Sequence, residues 1–444
     1  MRRFLAVLAL GCAAACSPPP PSGADGGDDG GGAVDGGHEQ QAPYAFYGLT
    51  GAGDFLPLDL AIAEDGRVGV AYFVNVGKPM GANDIDYEIR YQEWKDGQLS
   101  EPETVHTVQR LLDVSLTFAP NGQPAIGYLG GDAVTPVGVS QYWLQSDAAV
   151  AWREPNGTWT EEIVAQHSAD AAGSKPDGDI GFLVGLGTQL VSAGGKTFVA
   201  WRDCHFGQNT SDWSGSELEF ASGGRNAWQP SVVVSGWDGK QGYGGHLDMV
   251  IADGEPAIVS DSVYGGADSA GQNLYFSRRK KDGTWAPIVA PTNKPIGDTQ
   301  SGPSLAYDPV LGFAIAVVDR TEDALYFTRS QPKDDGKAGT WSELTPVYQS
   351  GSGGWYPSLS INPITHEPSI AYYVCSKAPG ANEGSCVEED DELRISERIA
   401  GIWRTQQVDP AGGWHPKLAH FANGKRVLAY RDPRSGAIKL AVEK

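Results

Sequence analysis

From residue 44 onward the chain is a succession of short runs. In each, apolar residues either alternate with polar ones or stand nearly unbroken, and Gly, Asn, Asp or Pro closes the run. Period-two alternation predicts strands with one wet face, and short unbroken apolar runs between turn residues predict strands buried on both faces. The stretch 305–347 shows the unit. Leu305-Ala306-Tyr307-Asp308 reads as a first strand and Phe313 to Val318, almost wholly apolar, as a second. Ala324-Leu325-Tyr326-Phe327-Thr328-Arg329 alternates as a third strand, and Gly339-Thr340-Trp341 opens a fourth that ends near Val347. Second strands recur at 68–73, 125–129, 198–202, 257–259, 369–373 and 427–431, and third strands at 89–91, 150–152, 218–220, 274–276, 393–395 and 438–440. Glu64-Asp65-Gly66, Pro120-Asn121-Gly122, Gly194-Gly195 and Ala422-Asn423-Gly424 separate first from second strands. Such residues supply the positive φ angles of tight hairpins.

A tryptophan marks the same place in successive units. Asn156-Gly157-Thr158-Trp159, Asp282-Gly283-Thr284-Trp285 and Gly339-Thr340-Trp341 are the clear copies, with Arg225-Asn226-Ala227-Trp228 and Gly401-Ile402-Trp403 as degenerate ones. The gaps between these tryptophans are 69, 57, 56 and 62 residues. A period of this size filled with short strands predicts an all-β, seven-bladed β-propeller of four-stranded antiparallel blades. The seventh unit stops at Lys444 after its third strand, and a spare strand, Tyr44 to Leu49, precedes the first unit. The N-terminal strand is therefore expected to complete blade seven, leaving no blade with an open edge. Recurring at one repeat position, the tryptophans are expected to pack between blades.

The formal charge is −22, and loss of Arg2 and Arg3 takes it to −24. That disfavours nucleic acid or an anionic membrane surface as a direct partner. Arg2-Arg3 followed by the apolar run Phe4 to Leu10 reads as a targeting segment. Small residues then lead to Cys16, with Cys12 as competitor; this resembles a bacterial lipoprotein signal. The resemblance implies lipidation at Cys16, and Ser17 behind it implies the outer membrane. Residues 1–16 are thus expected to be the signal, 17–42 a Pro-, Gly- and Asp-rich disordered tether, and 43–444 the propeller, a monomer held to the membrane through its lipid anchor alone. Cys375 and Cys386 flank one loop, and in an oxidising envelope a disulfide is expected there. No spaced His/Cys set marks a metal site and no cofactor is expected. Asn83-Asp84-Ile85-Asp86 and Asp177-Gly178-Asp179 are oxygen-rich and open to calcium, with solvated loops as the default reading.

The long loops join second to third strands and one blade to the next, and all open on one face, which marks it as the functional face. Two constellations sit there. Gly353-Gly354-Trp355-Tyr356-Pro357 and Gly412-Gly413-Trp414-His415-Pro416 match in neighbouring units, with Trp237 and Tyr243 nearby. Adjacent aromatics make stacking platforms for sugar rings, and blade packing is the competing reading. Trp201-Arg202-Asp203 and Tyr430-Arg431-Asp432 also match, with Asp319-Arg320 as a near relative. Three arginines can bind a carboxylate by forked hydrogen bonds, or tie the ring together through Arg–Asp pairs.

Asp282-Gly283-Thr284-Trp285 resembles the Asp-box hairpin of sialidase-type propellers, whose pattern is Ser-x-Asp-x-Gly-x-Thr-Trp. Here Asp and Gly are adjacent and the serine is displaced. The resemblance implies the architecture. Sialidase chemistry would need an arginine triad, which Arg202, Arg320 and Arg431 can mimic, and a Tyr–Glu pair, for which no residue is assignable. The expected function is accordingly a non-catalytic propeller that holds a glycan or an envelope protein on its loop face, with no catalytic residue assigned. The alternatives are a sialidase-like glycoside hydrolase or lyase using loop-face residues such as Asp203, Asp248, Asp261, Asp319 and Asp432, and a structural interaction platform.

Overall fold

The computed structural model describes residues 44–52, 57–76, 87–108, 114–130, 146–167, 183–204, 216–234, 243–261, 274–292, 296, 301–319, 321–331, 336, 340–380, 386 and 389–444. The signal, Cys16, the tether, the two oxygen-rich stretches, Trp237 and Arg320 lie outside these residues.

Seven antiparallel sheets follow one another along the chain, in the order the repeats predict. The first strands of the blades are Leu58–Ile62, Val114–Phe118, Leu183–Ala193, Leu247–Ala252, Pro303–Asp308, Ser352–Ile361 and Trp414–His420. Each touches the first strand of the next blade, and the last touches the first, so the seven close around a central axis. Second strands such as Val68–Asn75 and Gly312–Asp319 are buried along almost their whole length, as their unbroken apolar runs require.

Blade seven is completed as expected. Tyr44–Ala52 pairs antiparallel with Ala437–Glu443, Tyr44 lying opposite Glu443 and Leu49 opposite Ile438. Two blades depart from four regular strands. In blade one, Gln98–Leu99 and Glu103–Val108 share the outer position on Tyr87–Lys95. In blade four three strands are regular, and the bridges Arg279 to Trp285 and Phe276 to Val289 stand where the fourth would run. Pro287 and Pro291 carry no N–H for a ladder there.

The repeating tryptophans join neighbouring blades. Trp159 of blade two lies 5.5 Å, edge to face, from Tyr91 of blade one. Trp228 meets Trp152 at 6.0 Å, Trp285 meets Phe220 at 5.0 Å, Trp341 meets Phe276 at 5.2 Å and Trp403 meets Phe327 at 5.2 Å. Each pair sets an outer-strand tryptophan on a third-strand aromatic of the preceding blade. Such pairs contribute about 0.5–1.5 kcal/mol beyond the area they bury. Blade seven has no such tryptophan, and buried Tyr44 takes the place, packed with Leu393 and Ile395 of blade six.

A second repeated device surrounds the axis. Every first strand carries a polar residue followed by Leu or Met: Asp59-Leu60, Ser115-Leu116, Gln189-Leu190, Asp248-Met249, Ser304-Leu305, Ser358-Leu359 and Lys417-Leu418. The polar side chain accepts the backbone N–H of the next blade. Leu116 donates to Asp59 (2.7 Å), Leu190 to Ser115 (2.9 Å), Leu305 to Asp248 (2.7 Å), Leu359 to Ser304 (3.0 Å) and Leu418 to Ser358 (2.9 Å). Lys417 Nζ, 3.6 Å from Asp59 Oδ1, closes the circle from blade seven to blade one.

The disulfide between Cys375 and Cys386 is present and ties the second strand of blade six to the loop that follows it. Replacing both cysteines by alanine is expected to cost about 2–3 kcal/mol, the entropy of closing so short a loop. Denaturant unfolding of the variant beside the oxidised protein measures it, and equal midpoints would show that the loop is held by its other contacts.

Candidate functional site

The axis opens on the loop face where the first strands begin. In blade six Ser358 pairs with Ala371, and in blade seven Lys417 pairs with Ala429. Two residues before them stand Tyr356 and His415. Both lie within irregularities of the ladder, between Trp355 and Ser358 and between Trp414 and Lys417. Both also have left-handed backbone, with φ of 53° and 48°. That conformation costs a non-glycine residue roughly 1–2 kcal/mol and persists only where surrounding structure enforces it. Glycines occupy the corresponding positions in blades three and five, Gly187 and Gly302, with φ of 65° and 72°. The turn is thus a property of the repeat, and blades six and seven place large side chains in it at a cost in stability.

Those side chains meet. The Tyr356 and His415 rings are 4.0 Å apart between centroids and half-buried at the mouth. Trp355 and Trp414 are 2 % and 6 % exposed and form a floor with Tyr373, Val318 and Cys375. The matching motifs therefore divide their labour: the tryptophans pack between blades, and the residues after them face the mouth. Burial pushes the His415 imidazole down to about 3, with Arg431 and Lys417 adding to the effect, so it is neutral at ordinary pH. Among the described residues none hydrogen-bonds the His415 ring. Tyr243 stands away from this pair. It is pinned to Ser216 by hydrogen bonds of 3.2 and 3.0 Å and packs edge to face on Tyr275 at 5.0 Å.

The arginine constellation is built into the fold. Leu186 opposite Arg202 and Trp414 opposite Arg431 show that the two arginines hold equivalent places in blades three and seven. These blades are not neighbours, and in blade five the equivalent residue is the apolar Val318. Arg431 is 1 % exposed, and its Nη2 donates to the carbonyl of Phe73 at 2.7 Å, across the joint between blades seven and one. It ties the ring together, through a backbone carbonyl rather than an aspartate. Arg202 is buried as well.

The candidate carboxylates are likewise engaged. Asp319 caps its turn by accepting the N–H groups of Thr321 and Glu322 at 3.0 and 3.3 Å. Asp432 accepts Arg434 N at 2.9 Å and pairs with Lys439 at 3.1 Å. Asp203 is 1 % exposed and stands opposite Glu217 in the ladder. Burial raises the Asp248 carboxyl above the usual range, against the pull of Lys417 and the bonds from Leu305 and Met249. Asp261 is buried against His246. Two of the buried tyrosines, Tyr430 and Tyr373, donate to Asp409 (2.6 Å) and Asp391 (2.5 Å). Burial drives the Tyr430 phenol upward, opposite to what a tyrosine nucleophile needs.

Two residue sets around the axis are absent from the motif-based expectations: the polar ring containing Asp59 and Lys417, and His246. The first was readable as a polar residue followed by Leu or Met in every first strand. The second carried no sequence signal, because its partner Asp261 lies on another strand. Among the described residues no three His, Cys, Asp or Glu side chains converge on a metal position, and no helix is long and apolar enough to cross a membrane.

No family model matches the chain, and no curated protein matches it. Solved structures do. An α-L-arabinanase from Penicillium chrysogenum, complexed with arabinobiose, aligns at 11 % identity over 81 % of this chain and 98 % of its own, with a TM-score of 0.50. A Trypanosoma rangeli sialidase in complex with sialic acid aligns at 11 % identity over 91 % of this chain and 59 % of its own, with a TM-score of 0.46. A protein of unknown function from Dyadobacter fermentans aligns at 10 % identity over 89 % and 97 %, with a TM-score of 0.45. At such identities the likeness shows the propeller fold alone.

Proposed function

We propose that this chain is a non-catalytic glycan-binding propeller, held at the outer membrane through a lipid on Cys16, with its ligand seated at the loop-face mouth of the axis. The observation that carries the reading is the Tyr356–His415 pair. Two aromatic side chains, placed by equivalent strained turns of adjacent blades, stack side by side at an opening. Strain retained at a surface opening is a mark of function, since glycine in the same turn would relieve it. A tyrosine beside a neutral imidazole offers an apolar face to a sugar ring and polar edges to its hydroxyls. The candidate carboxylates and arginines that are described serve as caps and ties, which favours binding over hydrolysis.

The test is binding of the full chain, in detergent, to an array of oligosaccharides, beside the double variant Tyr356→Asn, His415→Asn. Asparagine tolerates the left-handed turn, so the variant is expected to melt within about 2 °C of the parent. It is also expected to lose about 2 kcal/mol of binding, roughly thirty-fold in Kd, the effect of removing a central aromatic contact. Undiminished binding by the variant would refute this site.

A further inference from the structure

We propose that the same site extends across the mouth to blade four, where His246 accepts a hydrogen bond from a hydroxyl group of the glycan and sets which sugar is bound; this rests on the glycan-binding reading above. The register places His246 there. Asp248 pairs with Val259 and Leu247 with Ser260, so His246 stands two residues before Asp248, as Tyr356 stands before Ser358 and His415 before Lys417. Between His246 and Tyr356 lies only blade five, whose residue at this level is Gly302. A Cβ on Gly302 would fall 2.5 Å from the Cβ of His246. The glycine therefore lets the imidazole lie against blade five, on the side toward Tyr356, and adds no side chain of its own.

The imidazole is held in one orientation. Asp261, 1 % exposed, takes the backbone N–H of His246 at 2.6 Å through one oxygen and stands 3.0 Å from its Nδ1 through the other. The carboxylate accepts, so Nδ1 carries the proton and Nε2 is the basic nitrogen of the neutral ring. The side chain is nevertheless 48 % exposed. Two other His–Asp pairs set the comparison. His167 is clamped by Asp147 in the same two-bond manner, but its side chain is only 16 % exposed. His366 pairs with Asp308 at a turn between first and second strands, on the opposite face. A clamp alone is a fold device. A clamp that fixes an exposed imidazole at the ligand's level of the mouth is a preorganised acceptor. Sites that hydrogen-bond a particular hydroxyl discriminate strongly against analogues lacking it, because the buried partner is then left unpaired.

The experiment measures affinity for the best-bound oligosccharide of a panel of neutral and acidic glycans, by calorimetry, on the full chain in detergent between about pH 5 and 8, the range in which histidine changes charge. Parent, His246→Phe, His246→Gln and the Tyr356→Asn, His415→Asn variant are compared. The phenylalanine variant is expected to bind at least about ten-fold more weakly at pH 8 with an unchanged melting temperature. The parent is expected to weaken by a similar factor on acidification, as Nε2 turns from acceptor to donor. The glutamine variant, whose amide oxygen still accepts, is expected to keep part of the affinity and show no pH dependence. His415 stays neutral throughout this range and supplies no such dependence. Among the described residues the charged groups around His246 are Asp261 beneath it and Arg202 of blade three, packed behind Gly244. Parent-like affinity and pH profile in both His246 variants, with binding lost in the Tyr356/His415 variant, would overturn the His246 assignment and leave the binding site standing. Absence of glycan binding by the parent, or its survival in the Tyr356/His415 variant, would overturn both.

Discussion

Deleting residues 44–52 is expected to lower the melting temperature of the whole ring by about 10 °C. Tyr44 and Leu49 are 4 % and 6 % exposed, and burial of two such side chains stabilises by roughly 2–3 kcal/mol each. Their partners span two blades, Leu393 and Ile395 of blade six around Tyr44, and Tyr72 and Val74 of blade one around Leu49. The loss therefore falls on both joints of blade seven, not on one edge. It also bares the ladder of Ala437–Glu443, an unprotected strand edge that invites pairing with a second molecule. For a domain larger than about 200 residues, 5 kcal/mol corresponds to about 10 °C. Scanning calorimetry measures it, and a permuted chain separates lost sequence from lost closure. Tyr44 lies opposite Glu443, one residue from the C-terminal Lys444. An Asn-Gly link from Lys444 to Tyr44 would therefore make the two strands an ordinary hairpin. The permuted chain should regain the parent stability. A deletion that melts with the parent would show that the ring does not depend on this strand.

The fold was open to reading from sequence because its determinants are local and repeated. Hairpin turns such as Asn121-Gly122, the alternation of Ala324–Arg329 and the tryptophan rhythm each act within one unit, and seven copies make a weak signal strong. Where a local feature broke the pattern, the structure broke too: Pro287 and Pro291 stand where blade four lacks a regular fourth strand. The site was legible only by position. The matched motifs at 353–357 and 412–416 marked the right turn, yet which residue faces the mouth depended on a ladder irregularity that sequence does not display. That irregularity buries Trp355 and Trp414 and presents Tyr356 and His415. Arg431 shows the same limit from the other side. Its motif pointed to an anion site or an Arg–Asp tie, whereas its partner is the carbonyl of Phe73, 358 residues away. His246 and Asp261 are a pair made by tertiary structure alone.

Blade seven is also expected to set the acid limit of the protein, through Arg426 and Glu443. Arg426 Nη2 lies 2.7 Å from Glu443 Oε1, and its Nε and backbone N–H reach Oε2 at 3.1 and 2.9 Å. The guanidinium also lies 6.0 Å over the ring of Tyr44, on the closing strand. Burial opposes the ionised Glu443, but the hydrogen bonds and charge of Arg426 outweigh it and hold the carboxyl below its usual value of 4.5. A carboxyl whose folded value is depressed binds fewer protons folded than unfolded. Its contribution is complete above the unfolded value and is lost as pH falls through the folded one. Stability should therefore decline below about pH 4.5, and the decline should begin where the N-terminal strand is held. Glu443→Ala is expected to cost about 3 kcal/mol at neutral pH, because it strands a guanidinium that is only 10 % exposed, with Glu397 at 3.6 Å as a weaker remaining partner. The same variant should lose less stability than the parent between pH 6 and about 3, since the titrating group is gone. Chemical denaturation across that range distinguishes the outcomes. Parallel stability curves for variant and parent would show that the acid limit lies elsewhere, whereas convergence at low pH would place it at the joint that closes the ring.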